Sequence, residues 1–170
     1  SQSTHLFPIP FPMKINRSFT LIASLVVLGL GVPLSQAHPE GKAHEKKVAG
    51  PQGGRVITAI EPHAEFFVTK ERKVEIRFLD DEGKVLPLAQ QGVSVVAGER
   101  SAPTQLRFVR KGNALVSEQT LPAGNNLPTI VRFTASPGAA PIYERFHVNL
   151  EMCADCKLAE YACICDDHDH

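Results

Sequence analysis

Every cysteine of the chain lies in its closing stretch, CADCKLAEYACICDDHDH, at positions 153, 156, 163 and 165. The spacing is CxxC, six residues, then CxC. A CxxC turn sets two sulfurs on one side of a tight loop, within reach of a single tetrahedral ion. Cys163 and Cys165 supply two more donors once KLAEYA folds back, for which a short helical turn suffices. Soft thiolates select Zn or Cu over Mg and Ca. His168 and His170 add borderline ligands, and Asp166, Asp167 and Asp169 give the end of the chain a field that attracts cations. Two other chemistries stay open for the same residues. In an exported protein four cysteines commonly form two disulfides, with three possible pairings. A ring through the single residue between Cys163 and Cys165 is strained, so bridges across the two clusters are the easier ones. Redox exchange at the CxxC usually needs a thioredoxin-like βαβ setting.

A second pair of candidate ligands stands near the start of the domain. In GPQGGRVITAIEPHAEFFVT, His63 and Glu65 are two residues apart and project from the same side of an extended segment. A histidine beside a carboxylate binds Zn or Cu(II), with His38, His44 or His147 available to complete the shell. The alternative is an ordinary surface pair, His63 beside a salt-bridging Glu65, and His147 as a surface residue of the last strand.

The compartment these groups meet is set by the other end of the chain. From Met13 the sequence runs MKINRSFTLIASLVVLGLGVPLSQA, with Lys14 and Arg17 before an apolar run and Ser35-Gln36-Ala37 after it. That is the three-part pattern of a signal peptide over 13–37, cleaved after Ala37. The apolar run is about half of the ~20 residues a membrane span needs, so no stable membrane insertion is expected after cleavage. Residues 1–12 carry three prolines and no methionine and are expected to lie upstream of the true start. Loss of the leader removes two basic residues and no acid, taking the formal charge from zero to −2. No basic stripe is left to suggest a nucleic-acid partner. The expected location is periplasmic or secreted.

Positioning the candidate ligands falls to what lies between. Residues 38–54 are polar and rich in Gly and Pro, which predicts a flexible linker with little to bury. From Arg55 onward, short runs rich in Val, Ile, Phe and Thr alternate with turn residues, predicting strands at 55–60, 64–69, 73–79, 92–97, 105–110, 114–120, 129–135 and 142–150. Val74, Ile76 and Phe78 fall on one side of their strand and Glu75 and Arg77 on the other; Leu106 and Phe108 oppose Arg107; Phe146, Val148 and Leu150 oppose Arg145, His147 and Asn149. The segments 80–84 and 110–113 read as hairpin turns. Strands without intervening helices predict an all-β domain over 55–151, an antiparallel β-sandwich of immunoglobulin-like kind, followed by a short cysteine-rich tail over 152–170. The cysteine pair and tryptophan of antibody domains are missing.

No G-x-S-x-G elbow, Walker loop, HExxH or dinucleotide fingerprint occurs, so no enzymatic activity is expected. The stretch GGRVITAIEPHAEFFVT resembles the "GGR, strand, H-x-E" segment of periplasmic adaptor proteins of heavy-metal efflux systems. It covers about a tenth of the chain and implies a metal-efflux setting, with His63 and Glu65 at the matching positions. The long coiled-coil hairpin and lipoyl-like region of those adaptors are missing, so a full adaptor is not implied. From GPQGGRV through QTLPAGNNLPTIVRF to AEYACIC, the chain also resembles a group of small uncharacterised exported bacterial proteins. Together these features predict an exported protein that binds a transition metal, Zn or Cu, to sequester or deliver it, with a periplasmic efflux or envelope protein as partner. The rival expectation is a disulfide-stapled interaction module with no metal.

Overall fold

A computed structural model describes residues 47–165; the leader, His38, His44, His168 and His170 lie outside the described residues. Two antiparallel sheets pack face to face as a sandwich. The first has the order β1-β2-β3-β7-β6, with β1 Arg55–Ile57, β2 His63–Val68, β3 Val74–Leu79, β7 Ala114–Ser117 and β6 Phe108–Lys111. The second has the order β5-β4-β8-β9, with β5 Thr104–Leu106, β4 Gly92–Ala97, β8 Asn126–Thr134 and β9 Ile142–Asn149. Among the described residues the helical structure is a single 3₁₀ turn, Glu160–Ala162, and no helix is long and apolar enough to cross a membrane.

Period-two alternation builds the core. In β3, Val74, Ile76 and Phe78 are buried while Glu75 and Arg77 face the other way and form an ion pair at 2.5 Å. In β8, Leu127, Thr129, Val131 and Phe133 point inward against them and Ile130 and Arg132 point out. Burial of such side chains contributes roughly 1.5–3 kcal/mol each, and this removal of apolar surface from water holds the two sheets together.

One expected strand is two. Residues 105–110 divide at Arg107, with β5 in one sheet and β6 in the other. The Arg107 N–H donates to the Gln119 side-chain oxygen (2.7 Å) and its carbonyl accepts from the Glu118 N–H (2.8 Å), so the backbone is satisfied while the chain changes sheets. Leu106 stays fully buried and Phe108 packs at the core's margin, so both keep their inward side chains on either side of the corner. The expected turn at 110–113 is a two-residue hairpin between β6 and β7, with Gly112 at φ 59°, as the first central position of a type II′ turn requires.

The closing segment is part of the sandwich. Tyr161 and Ala162 of the 3₁₀ turn belong to the same buried cluster as Phe66 and Val148. Tyr161 meets Phe66 edge-on at 5.9 Å, and Phe66 in turn meets Phe146 at 5.2 Å. β1 is too short to cover the full length of β2, and the Tyr161 hydroxyl accepts the Val68 N–H that β1 leaves without a strand partner (3.0 Å). The tail is thereby anchored beside the first sheet.

Candidate metal centre

The cysteines are brought together by a short folded knuckle. Met152 and Ala159 form an antiparallel bridge, Cys153 N–H donates to the Leu158 carbonyl (2.8 Å), and Lys157 N–H donates to the Cys153 carbonyl (3.2 Å). Lys157 takes a positive φ of 60°, the sharp reversal needed to send the chain back after Cys156. The 3₁₀ turn then delivers Cys163 and Cys165 to the same place, as the intervening KLAEYA was expected to do.

All four sulfurs lie within 4.8 Å of one another. Individual separations are 3.5 Å for Cys153–Cys163, 3.8 Å for Cys156–Cys163 and 3.9 Å for Cys153–Cys165. Four thiolates about 2.3 Å from a central Zn(II) at the corners of a tetrahedron stand about 3.8 Å apart. The cluster therefore already has the dimensions of a tetrathiolate metal site, and it could bind a metal ion. None of the thiols is joined in a disulfide. Cys153 is buried, and the other three are half-exposed.

The electrostatics favour a cation at the centre. The Cys156 thiol is pulled down to about 6, chiefly by the Leu158 N–H and then by the Ile164 N–H, both hydrogen-bonded to its sulfur. Cys165 is pushed up to about 12, first by its hydrogen bond with Cys163 and then by desolvation, and burial likewise raises Cys163. One thiolate thus forms readily and the next ones are resisted, because each added negative charge falls within a few ångströms of the last. A divalent ion placed among the sulfurs reverses that order by stabilising every thiolate at once. The Cys165 N–H, 3.4 Å from the Cys163 sulfur, joins the N–H groups on Cys156 in spreading the negative charge of such a site.

His63 and Glu65 do not fall in a common group of metal-competent side chains among the described residues. The two do share a side of β2, but that side is covered at Glu65 by the loop 50–54, which the sequence placed in the linker. Glu65 is fully buried. Its Oε1 accepts the N–H groups of Gln52 (2.7 Å) and Gly54 (3.0 Å), and Oε2 has no hydrogen-bond partner among the described residues. Glycine is required in this loop by space: a Cβ at Gly50 would fall 2.4 Å from the Glu65 carboxylate, and one at Gly54 would fall 2.4 Å from the Phe66 carbonyl oxygen. The same loop touches the knuckle, since a Cβ at Gly53 would lie 3.1 Å from Leu158. Glu65 is thus a loop anchor. His63 instead faces Glu61 and Asp81. His147 is exposed on β9 and belongs to neither group of metal-competent side chains found among the described residues. Sequence reasoning missed Asp81, which reaches His63 only because β2–β3 pairing sets His63 opposite Leu79, two residues before it.

Comparison of the chain with family models, with curated proteins and with solved structures finds no match.

Proposed function

We propose that this is an exported metal-binding protein of the cell envelope that holds one Zn(II) on Cys153, Cys156, Cys163 and Cys165. The observation that carries the proposal is the set of sulfur separations, 3.5–3.9 Å, which fits tetrahedral S₄ coordination. Tetrahedral sulfur coordination favours Zn over Cu among the two ions the thiolates select. Burial of Cys153 gives the ion a stabilising role, while the half-exposure of the other three sulfurs leaves it open to exchange with a partner. Sequestration or delivery in a metal-efflux setting, with a periplasmic efflux or envelope protein receiving the ion, is supported by the leader pattern and by the resemblance of the GGR to H-x-E segment. The role proposed is non-enzymatic, since the sequence offers no positive case for catalysis.

The test is elemental analysis with thiol titration on protein purified anaerobically from the exported fraction, repeated on the Cys153→Ser, Cys163→Ser double variant. About one Zn per chain is expected, and its loss in the double variant. Copper in the same stoichiometry would change the ion and keep the site. No metal together with no titratable thiol would overturn the proposal and leave a disulfide-stapled interaction module.

A further inference from the structure

A second group of metal-competent side chains stands apart in chemistry from the thiolates. His63 opens β2, Glu61 lies in the turn before it, and Asp81 lies in the turn 80–84 that follows β3. Their ligand atoms all lie within 4.8 Å of one another, and the His63 Nε2 is 3.1 Å from the Glu61 Oε1. Asp80 holds the turn by accepting the N–H groups of Glu82 (3.1 Å) and Lys84 (2.8 Å), which leaves its neighbour Asp81 to face His63. Around a Zn(II) with N and O ligands at ~2.1 Å, tetrahedral donors stand about 3.4 Å apart. The His63–Glu61 separation is already near that value, and Asp81, on an exposed turn, has its ligand atom within 4.8 Å of both.

His63 and Asp81 also line a cavity of about 530 Å³, whose wall includes Tyr161 and Cys163. That volume is in the range of small-molecule sites and leaves room for water or a small ligand at the coordination positions the protein does not fill. Three protein ligands with an open position are the pattern of a site that can take a water or a further ligand on its ion, whereas the four sulfurs of the S₄ set fill the tetrahedron by themselves.

We infer that Glu61, His63 and Asp81 form a second, open metal site for a borderline divalent ion of the Zn(II) class, weaker than the tetrathiolate site and independent of it. An imidazole with two carboxylates suits such an ion, and the compact carboxylate–imidazole geometry is set by the β2–β3 register and not by the cysteine knuckle.

The experiment is ¹¹³Cd NMR of the full chain given two equivalents of ¹¹³Cd(II), a probe whose shift separates sulfur from nitrogen and oxygen coordination. Two resonances are expected, one in the thiolate region and one far upfield. His63→Gln should remove the upfield resonance and leave the thiolate one, which also reports that the variant is folded. Asp81→Asn, on an exposed turn, should weaken the second site by at least the roughly ten- to hundredfold that loss of an outer-sphere partner costs a metal site. A single thiolate resonance at two equivalents overturns the inference, and so does an upfield resonance that survives His63→Gln, because the ion then sits on histidines and aspartates elsewhere, such as the DDHDH end. Loss of the thiolate resonance alone would count against the proposed tetrathiolate function and leave this site standing.

Discussion

At the scale of single residues, the four cysteines are chemically unequal although they occupy one cluster. Cys156 receives two backbone N–H groups on its sulfur and is drawn down to about 6, whereas Cys165 is pushed up to about 12 by Cys163 and desolvation. Only the thiolate is a nucleophile, so in metal-stripped, reduced protein near neutral pH Cys156 should react first with iodoacetamide. Its modification rate should rise through a midpoint at about pH 6, with Cys163 and Cys165 following only at higher pH. Peptide mapping of singly alkylated protein reads this directly, and Zn(II) added beforehand should protect all four sulfurs. Uniform alkylation of the four would mean that the N–H groups of Leu158 and Ile164 do not single out Cys156.

At the scale of elements, the tail and β2 complete one another. Tyr161→Phe keeps the ring against Phe66 and removes the acceptor for the Val68 N–H, which should cost about 1–2 kcal/mol. Tyr161→Ala also opens a cavity in the core and should cost about 3–5 kcal/mol. Urea unfolding at saturating Zn(II) measures both, and a cost below ~1 kcal/mol for Tyr161→Ala would mean that the tail is not packed as described. Much of this arrangement was legible in the sequence, because alternation depends only on neighbours along the chain. Val74, Ile76 and Phe78 face inward as their spacing predicts, and the CxxC and CxC spacing announces a cluster of sulfurs. What was not legible depends on contacts between distant segments. Period two places Glu65 on a side of β2 but does not reveal that the loop 50–54 folds over that side and hydrogen-bonds to it. Nor does an unbroken run at 105–110 betray the change of sheet at Arg107, whose backbone partners are residues 118 and 119. Asp81 is silent for the same reason, since only strand register carries it to His63.

At the scale of the whole molecule, the proposed metal binding would be linked to folding, because the knuckle that presents the sulfurs also inserts Tyr161 and Ala162 into the common core. Anything that binds the folded state alone stabilises it by mass action, by about 4 kcal/mol at a thousandfold excess over Kd. Chelation should therefore lower Tm by several degrees. The fate of the tail can be read separately through its tyrosine. The chain has two tyrosines and no tryptophan, so Tyr143→Phe leaves one phenol whose ionisation is visible in the near ultraviolet. Burial, opposed by the Val68 N–H and reinforced by Glu65, pushes Tyr161 up to about 12. An unfolded tyrosine titrates near ~10, so the neutral phenol's contribution to stability is complete below about pH 10 and is lost as pH rises towards 12, on the order of 2 kcal/mol in all. In zinc-loaded protein the phenol should titrate at about 12, and chelation should bring it towards the unfolded value as the tail leaves the sheet. If Tm falls on chelation while the phenol still titrates at about 12, the tail stays docked without the ion; the metal then stabilises only the knuckle, and Tyr161 with its core contacts suffices to hold the end of the chain in place.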